Sequence, residues 1–496
     1  MRDGFQTSAS IRNGLTGTPS ILNGSLQTGP AQILLTRTRS KMAAAALATL
    51  LSACTMPPQP PPASTVEVPA DWRTRVGPSA PIEAAWWTQF NDPALTALVD
   101  RALAGNGDLR VARSRMEEFQ ARLRIAQAAR YPTLDLSVSP SRARSLSALG
   151  VDRELTVYQA GVQAAYEVDV WGRIGRLTEA AFADAEARQA AADAAALSVA
   201  ASAASGYLTL RGQDAQLALA QATLETRQRS LDFARRQFET GYSSRLEWLQ
   251  AQSEYRATAE TIPQLQRAIQ QQENALSILV GANPGPIPRG PALGDIRLPP
   301  VPDGLPSELL RRRPDIFQAE RAVVAADASL RAARDQLLPS LRLTATAGVE
   351  GFTLNQLLNN PFTLWSIGGS VLAPLFEGGR LRAQTEVSAA VRDQAVFAYE
   401  STVRNAFSET NNGLVAVERL REQEVQVAER RAVAAEALRI AVNRQRNGYA
   451  SYLEALDAQR TLNTAEVSLL QIRTNLLTAE VDLYRAMGGG WTAPGK

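Results

Sequence analysis

Between Pro132 and Val170 the period of apolar positions changes from helical to two. Leu134, Leu136 and Val138 alternate with Asp135, Ser137 and Ser139. Further on, Tyr158, Ala160, Val162, Ala164, Tyr166, Val168 and Val170 alternate with Gln159, Gly161, Gln163, Ala165, Glu167 and Asp169. A period of two predicts strands with one apolar and one polar face. A second pair follows: Leu341, Leu343, Ala345, Ala347 and Val349 share one face, and Trp365, Ile367, Val371 and Leu375 share the face of a fourth strand. Each run has about the ten residues that a tilted strand needs to cross a membrane. Taken singly, an ordinary sheet with one wet face is the simpler account of each strand. Four strands cannot close on themselves, however, and an open edge in lipid leaves backbone groups unpaired. Membrane placement would therefore require sister chains.

Elsewhere the period is helical. Asp92-Pro93 opens a short helix through about Ala104, with proline in its favoured first turn, and a second runs from Asp108 to about Arg130. From Arg176 to about Thr240 there is no proline, and only Gly206 and Gly212 interrupt a run rich in Ala, Gln, Glu, Arg and Leu. As one helix it would be about 95 Å long. It turns at Gly241 and returns to about Val280; a second such pair runs from Leu381 to about Arg446, turns at Gly448 and returns to Met487. Helices of this length and composition belong to coiled coils. Alanine seams at 180–181, 190–192 and 194–196 allow close backbone approach, and Asp193 with its alanine and serine neighbours argues against a membrane span.

The two halves are related. Gly241-Tyr-Ser-Ser-Arg-Leu-Glu-Trp-Leu-Gln-Ala-Gln252 matches Gly448-Tyr-Ala-Ser-Tyr-Leu-Glu-Ala-Leu-Asp-Ala-Gln459 at eight of twelve positions. The same offset pairs Tyr131-Pro-Thr-Leu-Asp-Leu136 with Leu338-Pro-Ser-Leu-Arg-Leu343. One register held over so long a span predicts a duplicated unit of two strands and two long helices, with residues 91–290 as the first copy, 291–490 as the second and 491–496 as a tail.

Composition narrows the chemistry. The chain has no histidine, which excludes His-ligated metals, His general bases and Ser-His-Asp triads. Its net charge of +3 demands no nucleic acid, and triplets such as Arg311-Arg-Arg313 are ordinarily solvated. The single cysteine, Cys54, follows basic Arg37, Arg39 and Lys41, a short apolar run from Met42 to Leu51, and Ser52-Ala53. That is the order of a secretory signal peptide, too short to span a bilayer. Leu51-Ser-Ala-Cys54 matches the bacterial lipobox, which predicts a mature chain starting at a lipidated Cys54; a stray buried cysteine is the bland alternative. Residues 1–53 then form the signal, with 1–36 either an extension of it or sequence upstream of the true start. Residues 54–90 read as a lipid-anchored extended segment, rich in proline from Pro57 to Pro69, which meets a packed region at Trp86-Trp87 and Phe90.

A strand pair, a long helical hairpin and the same again, behind a lipobox, resemble the TolC/OprM family of outer-membrane efflux factors, in its lipidated NodT-type branch. The specific marks are Trp86-Trp87-Thr-Gln-Phe-Asn-Asp-Pro93, Gly304-Leu-Pro-Ser-Glu-Leu-Leu-Arg-Arg-Arg-Pro-Asp-Ile316, Ala373-Pro-Leu-Phe-Glu-Gly-Gly-Arg380, the two Gly-Tyr tips and Leu483-Tyr-Arg-Ala-Met-Gly-Gly-Gly-Trp491. The resemblance spans essentially the whole mature chain. It implies a mixed α/β membrane protein working as a homotrimer, with a twelve-stranded barrel in outer-membrane lipid and a helical tunnel across the periplasm. It implies docking on a periplasmic adaptor and an inner-membrane pump of the resistance-nodulation-division class. The duct itself would be passive and no enzyme, with no cofactor beyond the diacylglycerol thioether and N-acyl lipid on Cys54.

The resemblance also implies roles for single residues. Leu453, Asp457 and Arg460 fall in the stretch that lines the family's periplasmic constriction, where three-fold symmetry would gather three Asp457 carboxylates. Arg460 could pair with Asp457 along the helix or across to a neighbour; the bland account is a solvated i,i+3 pair. The first copy carries Gln250 and Ser253 there, so a charge gate would belong to the second hairpin. Gly241 and Gly448 suit helix-reversing turns, and Tyr242, Ser243, Tyr449 and Ala450 beside them would meet the adaptor. Pro314 is expected to open a helix with Asp315 at its positive end. Trp365, Tyr158 and Tyr166 fit either an interfacial aromatic girdle or core packing. Two other functions share the pattern: the outer-membrane duct of an ABC-driven type I secretion system, and a periplasmic coiled-coil scaffold lipoprotein with soluble strands.

Overall fold

The computed structural model describes residues 62, 65–74, 79–146, 150, 152–302 and 304–493. Cys54 and the signal segment lie outside them. Two short helices lead in, α1 (Pro93–Gly105) and α2 (Gly107–Ala128). Asp92 caps α1 by accepting from the Ala94 and Leu95 amides at 2.8 and 3.2 Å, satisfying two of the amides that every helix start leaves free. Strands β2 (Thr133–Leu146) and β3 (Asp152–Val168) follow, then α3 (Arg173–Glu239) and its return helix α4 (Arg245–Leu279). A linker carries β4 (Val301–Pro302), which pairs in parallel with β1 (Ser79–Ala80). Helices α5 (Pro306–Arg312) and α6 (Pro314–Asp335) then lead to β5 (Ser340–Gly351), α7 (Leu354–Asn359) and β6 (Phe362–Leu372). The chain ends in α8 (Arg380–Arg446) and α9 (Tyr452–Ala486). With 67 residues each, α3 and α8 are about 100 Å long.

The four long strands form one antiparallel sheet in the order β2-β3-β5-β6. Its register sorts the central side chains by polarity. Leu134, Ala164, Ala345 and Ile367 make one row across the sheet, and Leu136, Val162, Ala347 and Trp365 the next on the same face. The opposite face carries rows such as Asp135, Gln163, Thr346 and Ser366. Among the described residues no helix covers the middle of the apolar face: Leu136 is 76% exposed and Ile367 79%. Trp365 therefore lies in the middle of the apolar face, where neither an edge girdle nor a core accounts for it. Tyr166 and Tyr158 stand nearer the two ends of that face. Leu375, expected on the fourth strand, lies beyond its end at Leu372, where Pro374 withholds a ladder amide.

The largest core is a belt partway along the helices. Trp86, Phe90, Leu95 and Val99 pack with Tyr207, Leu208 and Leu210 of α3, Leu276 of α4 and Leu477, Val481 and Tyr484 of α9. Trp86 stacks on Tyr484 with ring centroids 5.4 Å apart. Buried Tyr207 donates to Asp92 at 2.8 Å and accepts from the Gly290 amide at 2.8 Å, tying the lead-in segment to the linker. A neighbouring cluster joins Leu309, Ile316, Val403, Phe407, Leu414 and Leu483. Arg313, almost fully buried, bridges Asp315 at 2.7 Å and Glu409 at 2.9 Å and donates to the Ala486 carbonyl. The Arg-Pro-Asp motif is thus a structural clamp between α6, α8 and the end of α9.

The proline-rich lead-in is not free over its described part. The amide and hydroxyl of Thr65 donate to Glu400 at 2.8 and 3.1 Å. Trp72 donates to the Gly304 carbonyl at 2.7 Å and meets Phe407 edge-on. Composition reads this stretch as a tether, but Thr65 and Trp72 find partners on α8 that only the fold supplies.

Candidate functional site: the membrane face and the hairpin tips

The apolar face of the sheet is bounded. Between the rows of Val168 and Tyr158, every residue of β3 on that face is Ala, Val or Tyr, and its partners on β2 and β5 are apolar or glycine. Those ten or so residues rise about 34 Å along the strand, or about 25 Å once tilted, the height of a bilayer's apolar band. Beyond Tyr158 the same face turns polar: Arg142 pairs with Glu154 at 2.8 Å, and Arg144 with Asp152. Among the described residues no helix is long and apolar enough to cross a membrane. The sheet is the part with a lipid-type surface. Among the described residues both of its edge strands, β2 and β6, have a neighbour on one side only.

The other end is built from two helix reversals. Gly241 (φ 79°) and Gly448 (φ 78°) take the left-handed conformation that costs a side-chain-bearing residue about 1–2 kcal/mol. At each, two amides fold back onto the last turn. Tyr242 donates to the Gln237 carbonyl at 2.8 Å and Gly241 to that of Phe238 at 3.0 Å; Tyr449 and Gly448 do the same to Arg444 and Gln445. This is the Schellman closure. It turns the next side chains outward: Tyr242 is 87% exposed and Tyr449 78%, with Ser243 and Ala450 half-buried between the tyrosines and the following helices.

Just past these tips α9 packs on the first hairpin through Tyr452 and Leu456 against Ala234 and Ala251. Leu453 and Asp457, one turn apart, lie on the exposed face of α9. Asp457 forms no ion pair among the described residues. Arg460 instead reaches across to Glu254 of α4 through both Nε, at 2.9 Å, and Nη2. The expected Asp457–Arg460 pair is therefore not formed within this chain. The reason lies on α3. Arg227, 4% exposed, places Nη2 at 3.4 Å from Glu254 and donates from Nη1 to Gln459 at 2.5 Å. Burial pulls its guanidinium pKa down, Glu254 raises it and Arg460 lowers it again. Glu254 is the counter-ion of two arginines at once. A groove of 510 Å³ between α3, α4 and α9 opens beside this cluster, with Thr258, Leu265 and Asn463 in its wall. Reading the repeat missed Arg227 and Glu254 because their roles depend on α9 lying against the first hairpin, and side-chain periodicity does not say which helices are neighbours.

A sheet with an uncovered lipid-type band, continuous with two helices about 100 Å long that each fold back on a shorter partner, is the build of an outer-membrane channel protein. The chain belongs to the outer membrane efflux protein family, which it matches over residues 98–282 and 305–489. It is 35% identical to the toluene efflux pump outer membrane protein TtgC of Pseudomonas putida over 468 residues, covering 92% of this chain and 96% of that one. Outer membrane protein OprJ of Pseudomonas aeruginosa is 34% identical, with 90% and 95% covered. Among solved structures, the open-state MtrE outer membrane channel of Neisseria gonorrhoeae superposes with a TM-score of 0.78 at 31% identity, over 89% of this chain and 99% of that one. The protein is an outer-membrane efflux component of the TolC/OprM type.

Proposed function

We propose that three copies of this chain close a twelve-stranded barrel in the outer membrane and a helical tunnel below it. The assembly is the exit duct of a tripartite system that expels drugs or other small toxic compounds. The observation that carries this reading is the sheet with one uncovered apolar band and two unpaired edges. In lipid each unpaired backbone group costs several kcal/mol, so β2 of one copy must meet β6 of the next. The polar face then lines a wet passage. Relatives named for toluene efflux and for cation efflux support export as the task. The chain supplies a passive conduit, and the energy comes from an inner-membrane pump of the resistance-nodulation-division class, joined through a periplasmic adaptor. Exposed Tyr242 and Tyr449, with Ser243 and Ala450 beside them, support the tips as the adaptor's contact.

Leu453 and Asp457 would form the periplasmic constriction, with three Asp457 carboxylates favouring cations. The test is single-channel conductance of the detergent-extracted protein in a planar bilayer, with crosslinking to count subunits. A cation-selective trimer is the expected result. Asp457→Ala with Arg460→Ala should raise conductance, and an unchanged current would remove these residues from the gate. A water-soluble protein without trimer or current would overturn the duct itself. The lipid on Cys54 is tested separately: the intact mass of the purified chain should exceed that calculated for residues 54–496 by a diacylglycerol and an acyl group, and a mass equal to the calculated one would exclude lipidation.

A further inference from the structure

We propose that Glu254 is the positioning residue that holds the two helical hairpins together at the tip end, by standing between Arg227 of its own hairpin and Arg460 of the other. This rests on the duct reading for its consequence, though not for the contact itself.

The geometry is asymmetric in a way that fixes the expected behaviour. Arg227 is buried, whereas the Arg460 side chain is 54% exposed and that of Glu254 only 15%. An exposed ion pair by itself holds little. A buried guanidinium that loses its counter-ion is another matter, because the uncompensated charge stays in a poorly hydrated site. Remove the carboxylate of Glu254, and two cations, one on α3 and one on α9, face each other across the boundary between hairpins. Repulsion then drives α9 away from α3. Remove Arg460 instead, and Arg227 keeps Glu254 inside the first hairpin; the link is lost without any repulsion. The surroundings favour this asymmetry. Buried Tyr452 lies close to the same charges, and burial raises its pKa, so its neutral hydroxyl supplies no substitute anion. Glu247 is a further acid facing this cluster, and Asp457 attracts Arg460 from its own helix. Neither forms an ion pair with Arg227. The hydrogen bond from Arg227 to Gln459 would remain, but a neutral amide does not offset the second positive charge.

The prediction is a specific non-additivity. Glu254→Gln, Arg460→Ala and the double variant are compared in the full-length, detergent-extracted protein. Two readouts are taken: amide hydrogen exchange over Tyr452–Gln459, and single-channel current. Glu254→Gln should speed exchange in this segment by about fivefold or more, Arg460→Ala should do so less, and the double variant should fall between the two, because Arg227 stays uncompensated but no longer faces a second cation. Open-channel current should follow the same order. A merely structural role for Glu254 would leave the double variant at least as loose as Glu254→Gln, and that result overturns the proposal, as does unchanged exchange in Glu254→Gln. If exchange follows the predicted order while no form, wild type included, carries current, the link stands and the duct reading fails.

Discussion

Glu480 shows what a single residue can reveal at this level of detail. It is fully buried in α9, receives one hydrogen bond from Arg421 at 2.6 Å and leaves its second oxygen without a partner. Burial disfavours the carboxylate and pushes its pKa from the ordinary 4.5 up to about 7, with Arg421 acting in the opposite direction. The folded chain therefore binds a proton more tightly here than the unfolded one. Stability from this group is complete below about pH 4.5 and is lost as pH rises through about 7. The urea midpoint should fall between pH 5 and 7.5, and Glu480→Gln should flatten that slope; an unchanged slope would mean that Glu480 is ionised throughout. Sequence reading passed over this glutamate because acids are common on helices of this composition. Only its burial sets it apart. Gly448 is the opposite case: its repeat with Gly241 and the Tyr that follows each marked a helix reversal, and φ values near 80° are the physical form of that mark.

At the level of elements, the long helices were legible almost to their ends. The run expected from Arg176 to Thr240 folds from Arg173 to Glu239, and that from Leu381 to Arg446 starts at Arg380. The absence of proline and the two strong stop signals made this possible. How the helices touch was not legible. Gly212 looks like a mild interruption of a helical run, yet it is where α3 meets α9: a Cβ there would overlap the side chain of Thr474. Gly212→Val should therefore cost about 1–3 kcal/mol by overpacking, although valine removes a helix-weakening glycine. Gly206→Val would be easier to accommodate, since its Cβ would meet the ends of the flexible Leu276 and Gln272 side chains. Thermal unfolding of the two variants side by side checks this, and equal midpoints would show that α9 can shift freely at Gly212.

For the whole molecule the decisive surface is the sheet. Ile367 lies in a central row of the apolar band and is 79% exposed in the single chain. An arginine there would stand at the middle of the bilayer, where it costs about 2–4 kcal/mol. On the barrel proposed above, Ile367→Arg should lose the membrane-inserted trimer in crosslinking, while Ser366→Arg, on the opposite and polar face, should keep it. Equal trimer yields from the two variants would mean that this face does not meet lipid. The contrast needs no knowledge of cargo, because it depends only on which face is wet.

The residue pattern by itself determined the elements, their order, the repeat, the turn glycines and the polarity of each strand face. Those are local properties, set by periodicity, by the absence of proline and by the conformations glycine allows. The tertiary structure decided who meets whom. It brought Glu254 between Arg227 and Arg460, docked Thr65 and Trp72 on α8, and buried Glu480 beside Arg421. These contacts join residues far apart in the chain. A charge's partner depends on which helices lie side by side, and that is settled by the packing of whole faces rather than by any spacing along one segment.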